Sequence, residues 1–207
     1  MKSQLTILFF ILIRFSFCQS PTLSVGQSAP LLEHRMEASS SEYFSLMDLK
    51  GEGLIVVFTS NTCPFVVGFN DGSFNGWENT YNSIAEKASQ SNINTVLINS
   101  NEAKRGDGES MADMIKRKSD KRYSMPYLID NNSELANAFG AKTTPHVFFF
   151  DRNMKLIYTG SIDNSFDDDK KSEISYLMNA IEAYSNDKKI KTKSTSPKGC
   201  SIKRVKN

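Results

Sequence analysis

LIVVFTSNTCPFV, from Leu54 to Val66, is the stretch on which the reading of this chain turns. Leu54 to Phe58 is an unbroken apolar, β-branched run behind Gly51 and Gly53, the pattern of a central strand buried on both faces. The polar run Thr59-Ser60-Asn61-Thr62 ends that strand and sets Cys63 at the head of a loop, out of the core. Pro64 suits the first turn of a helix, where its missing N–H costs nothing. A thiol there gains from backbone N–H groups and the positive end of a helix dipole, which raise its thiolate fraction. A cysteine at the carboxyl end of a parallel strand also lies on the edge where open α/β sheets bind ligands. The plainer alternative is a buried cysteine acting as a small hydrophobe.

Downstream, Trp77, Tyr81, Ile84, Ala85 and Ala88 form a helical stripe, and Thr95 to Asn99 is a second strand of the buried type. Ser110 to Ser119 is expected to be helical. Tyr127 to Asp130 is short and extended. Ser133 to Phe139 reads as a helix with Ser133 as N-cap and Gly140 as its stop. His146 to Phe150 and Leu156 to Thr159 are strands joined by a turn over 151–154, and residues 170–184 form a last amphipathic helix. Alternation of this kind argues for an α/β fold, a central mixed sheet with a parallel core flanked by helices.

The ends of the chain differ from its body. Met1-Lys2, the apolar run Leu5 to Ile13 and Ser16-Phe17-Cys18 read as a secretory signal peptide over 1–18. The run is too short to span a bilayer, which needs about 20 residues, and no later segment approaches that length. The mature protein is expected to be exported, periplasmic or secreted, with its folded domain over 19–185. Residues 186–207 carry eight basic residues against Asp187, whereas 19–185 carry 15 basic and 22 acidic. No apolar period survives beyond Tyr184, so 186–198 are expected to be a solvated extension within a basic tail. The whole chain, 207 residues and 39% hydrophobic, is long enough for one real core and is neither collagenous nor a disulfide-dense miniprotein.

A second signal lies about eighty residues after Cys63. Thr143-Thr144-Pro145-His146 precedes the run Val147 to Phe150, and a proline at a strand's first residue costs no ladder bond. Taken together, Gly26-Gln27-Ser28-Ala29-Pro30, Ser60-Asn61-Thr62-Cys63-Pro64-Phe65, Thr144-Pro145 and Phe150-Asp151 resemble the thioredoxin-like superfamily over residues 25–184. The branch they are most similar to is the peroxiredoxin-like (AhpC/TSA, redoxin) family of exported bacterial proteins. The resemblance implies a thioredoxin-like fold with the cysteine turn facing a Thr-cis-Pro loop, and thiol–disulfide exchange or thiol peroxidase chemistry. It implies Cys63 as nucleophile, with Ser60, Thr62, Pro64, Thr144 and Pro145 around the substrate. The partners would be a thiol or disulfide protein, or a hydroperoxide.

Two departures qualify the likeness. Val66 stands where a dithiol motif has its second cysteine, so no local disulfide can form. Ser60 supplies a hydroxyl three residues before Cys63, but Val56 occupies the position of the peroxiredoxin proline. The later strand is entered by Thr144-Pro145, where an arginine is looked for. Arg105, Arg117 and Arg122 are expected to be solvated surface charges.

An oxidised Cys63 then needs a distant thiol, and apart from Cys18 of the leader only Cys200 is left. A flexible stretch of about fifteen residues spans roughly 20 Å, enough to cross a small domain. Lys198, Lys203 and Arg204 would favour the Cys200 thiolate and steer the tail to the acidic body, with high salt slowing the bond. Cys200 is a candidate resolving thiol; the competing readings are an intermolecular or unpaired thiol and a purely structural bridge.

Other features attract plainer readings. His34 and His146 are the only histidines and lack metal-motif spacing, so no metal or cofactor is expected. His146 is expected to be hydrogen-bonded beside the proline loop. Asp167-Asp168-Asp169 suits a helix N-terminus, and nothing marks a nucleic-acid site. Three functions stay open: a thiol–disulfide oxidoreductase, a peroxiredoxin-like peroxidase, and a non-catalytic redoxin-fold binding module.

Overall fold

The computed structural model describes residues 21–167 and 171–205. The leader over 1–18 with Cys18, and Asp168 and Asp169, lie outside the described residues. Among the described residues nine strands and five α-helices follow one another: β1 Met36–Glu37, β2 Tyr43–Phe44, β3 Gly53–Thr59, α1 Pro64–Val67, α2 Tyr81–Ser89, β4 Ile93–Asn99 and α3 Met111–Lys121. Then come β5 Tyr127–Ile129, α4 Glu134–Phe139, β6 Thr143–Thr144, β7 His146–Asp151, β8 Leu156–Gly160, α5 Tyr176–Ser185 and β9 Cys200–Ser201.

The central sheet has the order β5-β4-β3-β7-β8. β3 runs parallel to β4, Gly53 against Ile93 through Thr59 against Asn99, and antiparallel to β7, Leu54 against Phe150 through Phe58 against His146. This is the mixed sheet with a parallel core expected from the alternation of elements. All seven residues of β3 are buried because both faces are covered. Ile55 and Val57 face one core with Trp77, Tyr81, Ile84, Met114, Leu177 and Ile181. Leu54, Val56 and Phe58 face the other, with Leu46, Leu135 and Phe139. The crossovers from β3 to β4 and from β4 to β5 step in the same direction, and one hand for both puts α2 and α3 on the same face.

Several boundaries differ from expectation for local reasons. Ser110 caps α3 through a reciprocal box with Asp113. Ser133, expected to cap α4, instead donates to Ser100 O, and Asp130 accepts from the amides of Leu135 and Ala136 in its place. Gly140 does end α4, at φ 58°. α5 starts only at Tyr176, later than residue 170.

The tail is the main correction. Residues 186–205 are a docked strap, and 186–198 are not the solvated extension expected. Thr159 N–H donates to Lys193 O and Thr195 N–H to Thr159 O, so the chain runs along the free side of β8. Gly160, at φ 137°, admits it: a Cβ there would sit 2.1 Å from Thr195 Oγ1. Ile190 and Ile202 are buried, one in each core. β9 pairs antiparallel with β6, Thr144 opposite Cys200. Lone isoleucines joined by backbone bonds carry no period, which is why the sequence pattern misses the strap. No helix among the described residues is long and apolar enough to cross a membrane.

Candidate functional site

The carboxyl ends of β3, β4 and β5 and the amino end of β7 share one edge of the sheet, and the site is assembled there. Cys63 is the N-cap of α1, with Pro64 in its first turn, and its sulfur lies 3.1 Å from Thr144 O. The Thr144–Pro145 peptide is cis. Cys63 is only 4% exposed and packs with Val66, Trp77 and Tyr81, so the expectation of a thiol outside the core is corrected. β9 brings Cys200 over it and packs it against the same cluster.

The two thiols meet. Cys200 lies close enough to the Cys63 side chain and the Phe65 amide for both to act on its thiol. Burial pushes the Cys200 thiol up to about 11, helped by the neighbouring Cys63; Lys203 and the Phe65 N–H act the other way. Lys203 does favour the Cys200 thiolate, as expected, but desolvation outweighs it. Gly199 allows the approach: at φ 152°, a Cβ would fall 2.1 Å from Thr144 O.

Of the other expected residues, Pro64 is exposed beside Cys63 while Thr144 and Pro145 are buried against it. Ser60 Oγ accepts the N–H groups of Thr62 and Cys63, 3.0 Å each, and donates to Glu109. Thr62 Oγ1 also donates to Glu109, at 2.7 Å. Both hydroxyls thus build the turn beneath the thiol. Arg105 bonds the backbone of Asn99, Glu109 and Asp130, and Arg117 bonds Asn61 O and the buried Glu78. They are structural ties in the loops under the site, not the solvated charges expected; Arg122 is exposed at the end of α3. His146 is hydrogen-bonded beside the proline loop as expected, and buried, its Nδ1 accepting from Lys142 N and its Nε2 beside Thr159 Oγ1.

Glu109 and Asn99 are the members the sequence reading missed. The signal for Asn99 is the polar run Asn99-Ser100-Asn101 closing β4, which repeats Thr59-Ser60-Asn61-Thr62 closing β3; Glu109 carries none. Among the described residues no group of three or more His, Cys, Asp or Glu is placed to hold a metal.

The Redoxin family model matches residues 24–176. An uncharacterized conserved protein from Geobacillus kaustophilus is 26% identical with a TM-score of 0.76, over 89% of this chain and 94% of that one. A hypothetical protein from Sinorhizobium meliloti is 27% identical with a TM-score of 0.74, over 91% of this chain and 99% of that one. The thioredoxin domain of a thiol-disulfide oxidoreductase from Bacteroides vulgatus shares the fold at 14% identity, with a TM-score of 0.56 over 80% and 100%. No curated protein matches the sequence. With the cysteine turn, the Thr-Pro loop and a five-stranded mixed sheet in the thioredoxin-like arrangement, the chain belongs to the redoxin family.

Proposed function

We propose that this protein is an exported thiol–disulfide oxidoreductase in which Cys63 attacks and Cys200 resolves. The observation that carries the reading is the placement of Cys200, a free thiol, opposite Thr144 by the β6–β9 pair and against the cluster that holds the free thiol of Cys63. Cys63 as thiolate attacks one sulfur of a partner's disulfide. A mixed disulfide forms, and the partner's other sulfur leaves and takes up a proton as a thiol. Cys200 then gives up its proton and attacks the Cys63 sulfur, releasing the partner's second thiol. The protein ends oxidised by two electrons with a Cys63–Cys200 bond, and the partner ends reduced.

The order of the steps follows from the causes acting on Cys200. Covalent occupation of Cys63 removes the possibility of a charge on that sulfur, one of the causes that hold the Cys200 proton. Lys203 and the Phe65 amide then act on Cys200 with less opposition. A hydroperoxide would take the same route through a sulfenic acid, with an alcohol and then water leaving. That route wants donors at the departing oxygen. Ser60 has its one hydroxyl hydrogen on Glu109, and the two part-buried arginines bind backbone below the sulfur. Disulfide exchange is therefore the better-supported of the two.

The test is to treat the reduced protein with a disulfide substrate or with stoichiometric hydrogen peroxide, following the Cys63 and Cys200 peptides by mass spectrometry. Fast mixed-disulfide formation followed by a Cys63–Cys200 linkage is expected. Rapid sulfenic acid with slow exchange would select the peroxidase, and inertness to both would select the binding module. Export is tested by the mature N-terminus, expected near residue 18 of the sequence.

A further inference from the structure

Glu109 is fully buried, in the loop between β4 and α3, and thiol exchange as described does not use it. Its two oxygens accept five hydrogen bonds. Oε1 takes the Ser60 hydroxyl, the Thr62 hydroxyl at 2.7 Å and the Thr62 amide at 3.1 Å. Oε2 takes the Asn61 amide at 3.0 Å and Asn99 Nδ2 at 2.6 Å. Every partner is a donor, and four of the five come from the three residues that lead into Cys63. The glutamate is itself anchored, since Arg105 Nη1 donates to its backbone oxygen at 3.0 Å and to Asn99 Oδ1 at 2.8 Å.

Ser60 is the link to the thiol. Its single hydroxyl hydrogen points at Glu109, so its lone pairs face the other way and accept the amides of Thr62 and Cys63. Were that hydrogen free to rotate, the Cys63 N–H would have a competing donor in place of a fixed acceptor. We propose that Glu109 is a positioning residue for Cys63: by fixing the Ser60 hydroxyl as acceptor of the Cys63 amide, it holds the sulfur against Thr144 O and the Cys200 thiol. The proposal rests on Cys63 being the attacking thiol, but it assigns a role to a residue that the exchange mechanism does not require.

Glu109→Gln is the informative change. It keeps size and one acceptor oxygen, but its NH2 must face either the Ser60–Thr62 donors or the Asn61 and Asn99 donors, so one side of the clamp opens. Ser60→Ala removes the link and leaves Glu109 its other four donors. Both take from the Cys63 N–H its fixed acceptor, so the sulfur is held less firmly against Thr144 O and Cys200.

The experiment uses the full chain. It follows the rate of Cys63–Cys200 bond formation with a small-molecule disulfide and the pH profile of Cys63 alkylation by iodoacetamide, both resolved at the peptide level, for E109Q, S60A and the double variant. Each single variant is expected to form the bond about tenfold more slowly and to change the alkylation profile of Cys63. The double variant should be no worse than the slower single one, because both changes break one chain of bonds. Losses that multiply in the double variant would overturn the link through Ser60. Unchanged rate and profile with only a lower melting temperature would overturn the proposal and leave Glu109 a fold residue. If E109Q does not fold, S60A decides alone, and an unmoved S60A profile overturns it. A Cys63 inert to iodoacetamide in the unaltered protein would overturn the exchange reading and this one together, whereas a reactive Cys63 indifferent to both variants overturns this one only.

Discussion

At the residue scale, the two cysteines divide their work because their surroundings differ. Cys63 lies just beyond β3 at the N-cap of a single helical turn, whereas Cys200 is a half-buried thiol packed on the same cluster. Replacing Cys63 by Ser removes the ionisable sulfur from beside Cys200, leaving burial as the main opponent of Lys203 and the Phe65 amide. Cys200 in C63S should therefore be alkylated with an apparent pKa below the value of about 11 in the unaltered chain, and peptide-resolved alkylation against pH measures it. An unchanged profile would mean that the thiols do not sense each other. Cys63, Pro64, Thr144 and Pro145 were legible because each sits at the end of a strong apolar run that fixes its place on the sheet. Glu109 was not, since a lone acid in Gly106-Asp107-Gly108-Glu109-Ser110 looks like any surface loop. Only the folded chain brings it under Ser60, 49 residues away in sequence.

At the element scale, the strap over 186–205 changes how the disulfide forms. A solvated tail would reach Cys63 by diffusion, with basic residues steering it towards an acidic body. The docked strap holds Cys200 in place before any oxidation, through backbone bonds from Lys193 and Thr195 to β8 and from Ile202 N to Lys142 O. Bond formation is then a local step. Raising ionic strength to about 1 M, where the screening length falls to about 3 Å, should leave its rate within about twofold. A strong fall with salt, followed by mass spectrometry, would restore the steered tail. Gly199→Ala tests the strap directly. Its Cβ would meet Thr144 O, so β9 should lift from β6 at a cost above about 1 kcal/mol. Cys63–Cys200 bond formation should slow at least tenfold while Cys63 becomes more accessible to alkylation. The sheet strands were legible as apolar runs, but a strap made of backbone pairing leaves no pattern in side-chain types.

At the scale of the whole molecule, the sheet separates two cores, and its middle strands must keep both dry. His146 opens β7 inside this arrangement, 1% exposed, and its ring lies 4.4 Å from that of Phe148. Nδ1 accepts from Lys142 N at 3.2 Å, so the ring is neutral with its hydrogen on Nε2 towards Thr159 Oγ1. Burial, with the charge of Lys142 adding to it, lowers the imidazole from about 6.5 to about 3. The folded chain thus binds this proton less readily than the unfolded one. Its contribution is fully present above about pH 6.5 and is lost as pH falls towards 3, at about 1.4 kcal/mol for each unit of difference. Asp130 works in the opposite direction: burial raises its carboxyl, so its protonation favours the folded form as the medium becomes acid. Comparing urea unfolding of the unaltered protein with that of His146→Gln separates the two, since Asp130 is common to both. The stability difference should stay flat above neutrality and shrink by a few kcal/mol between pH 6.5 and 3. A difference that does not change with pH would mean that the ring takes its proton without opening the entry to β7. Because His146 follows Pro145, the same acid transition should loosen Thr144 and expose Cys63 to alkylation before the sheet as a whole unfolds.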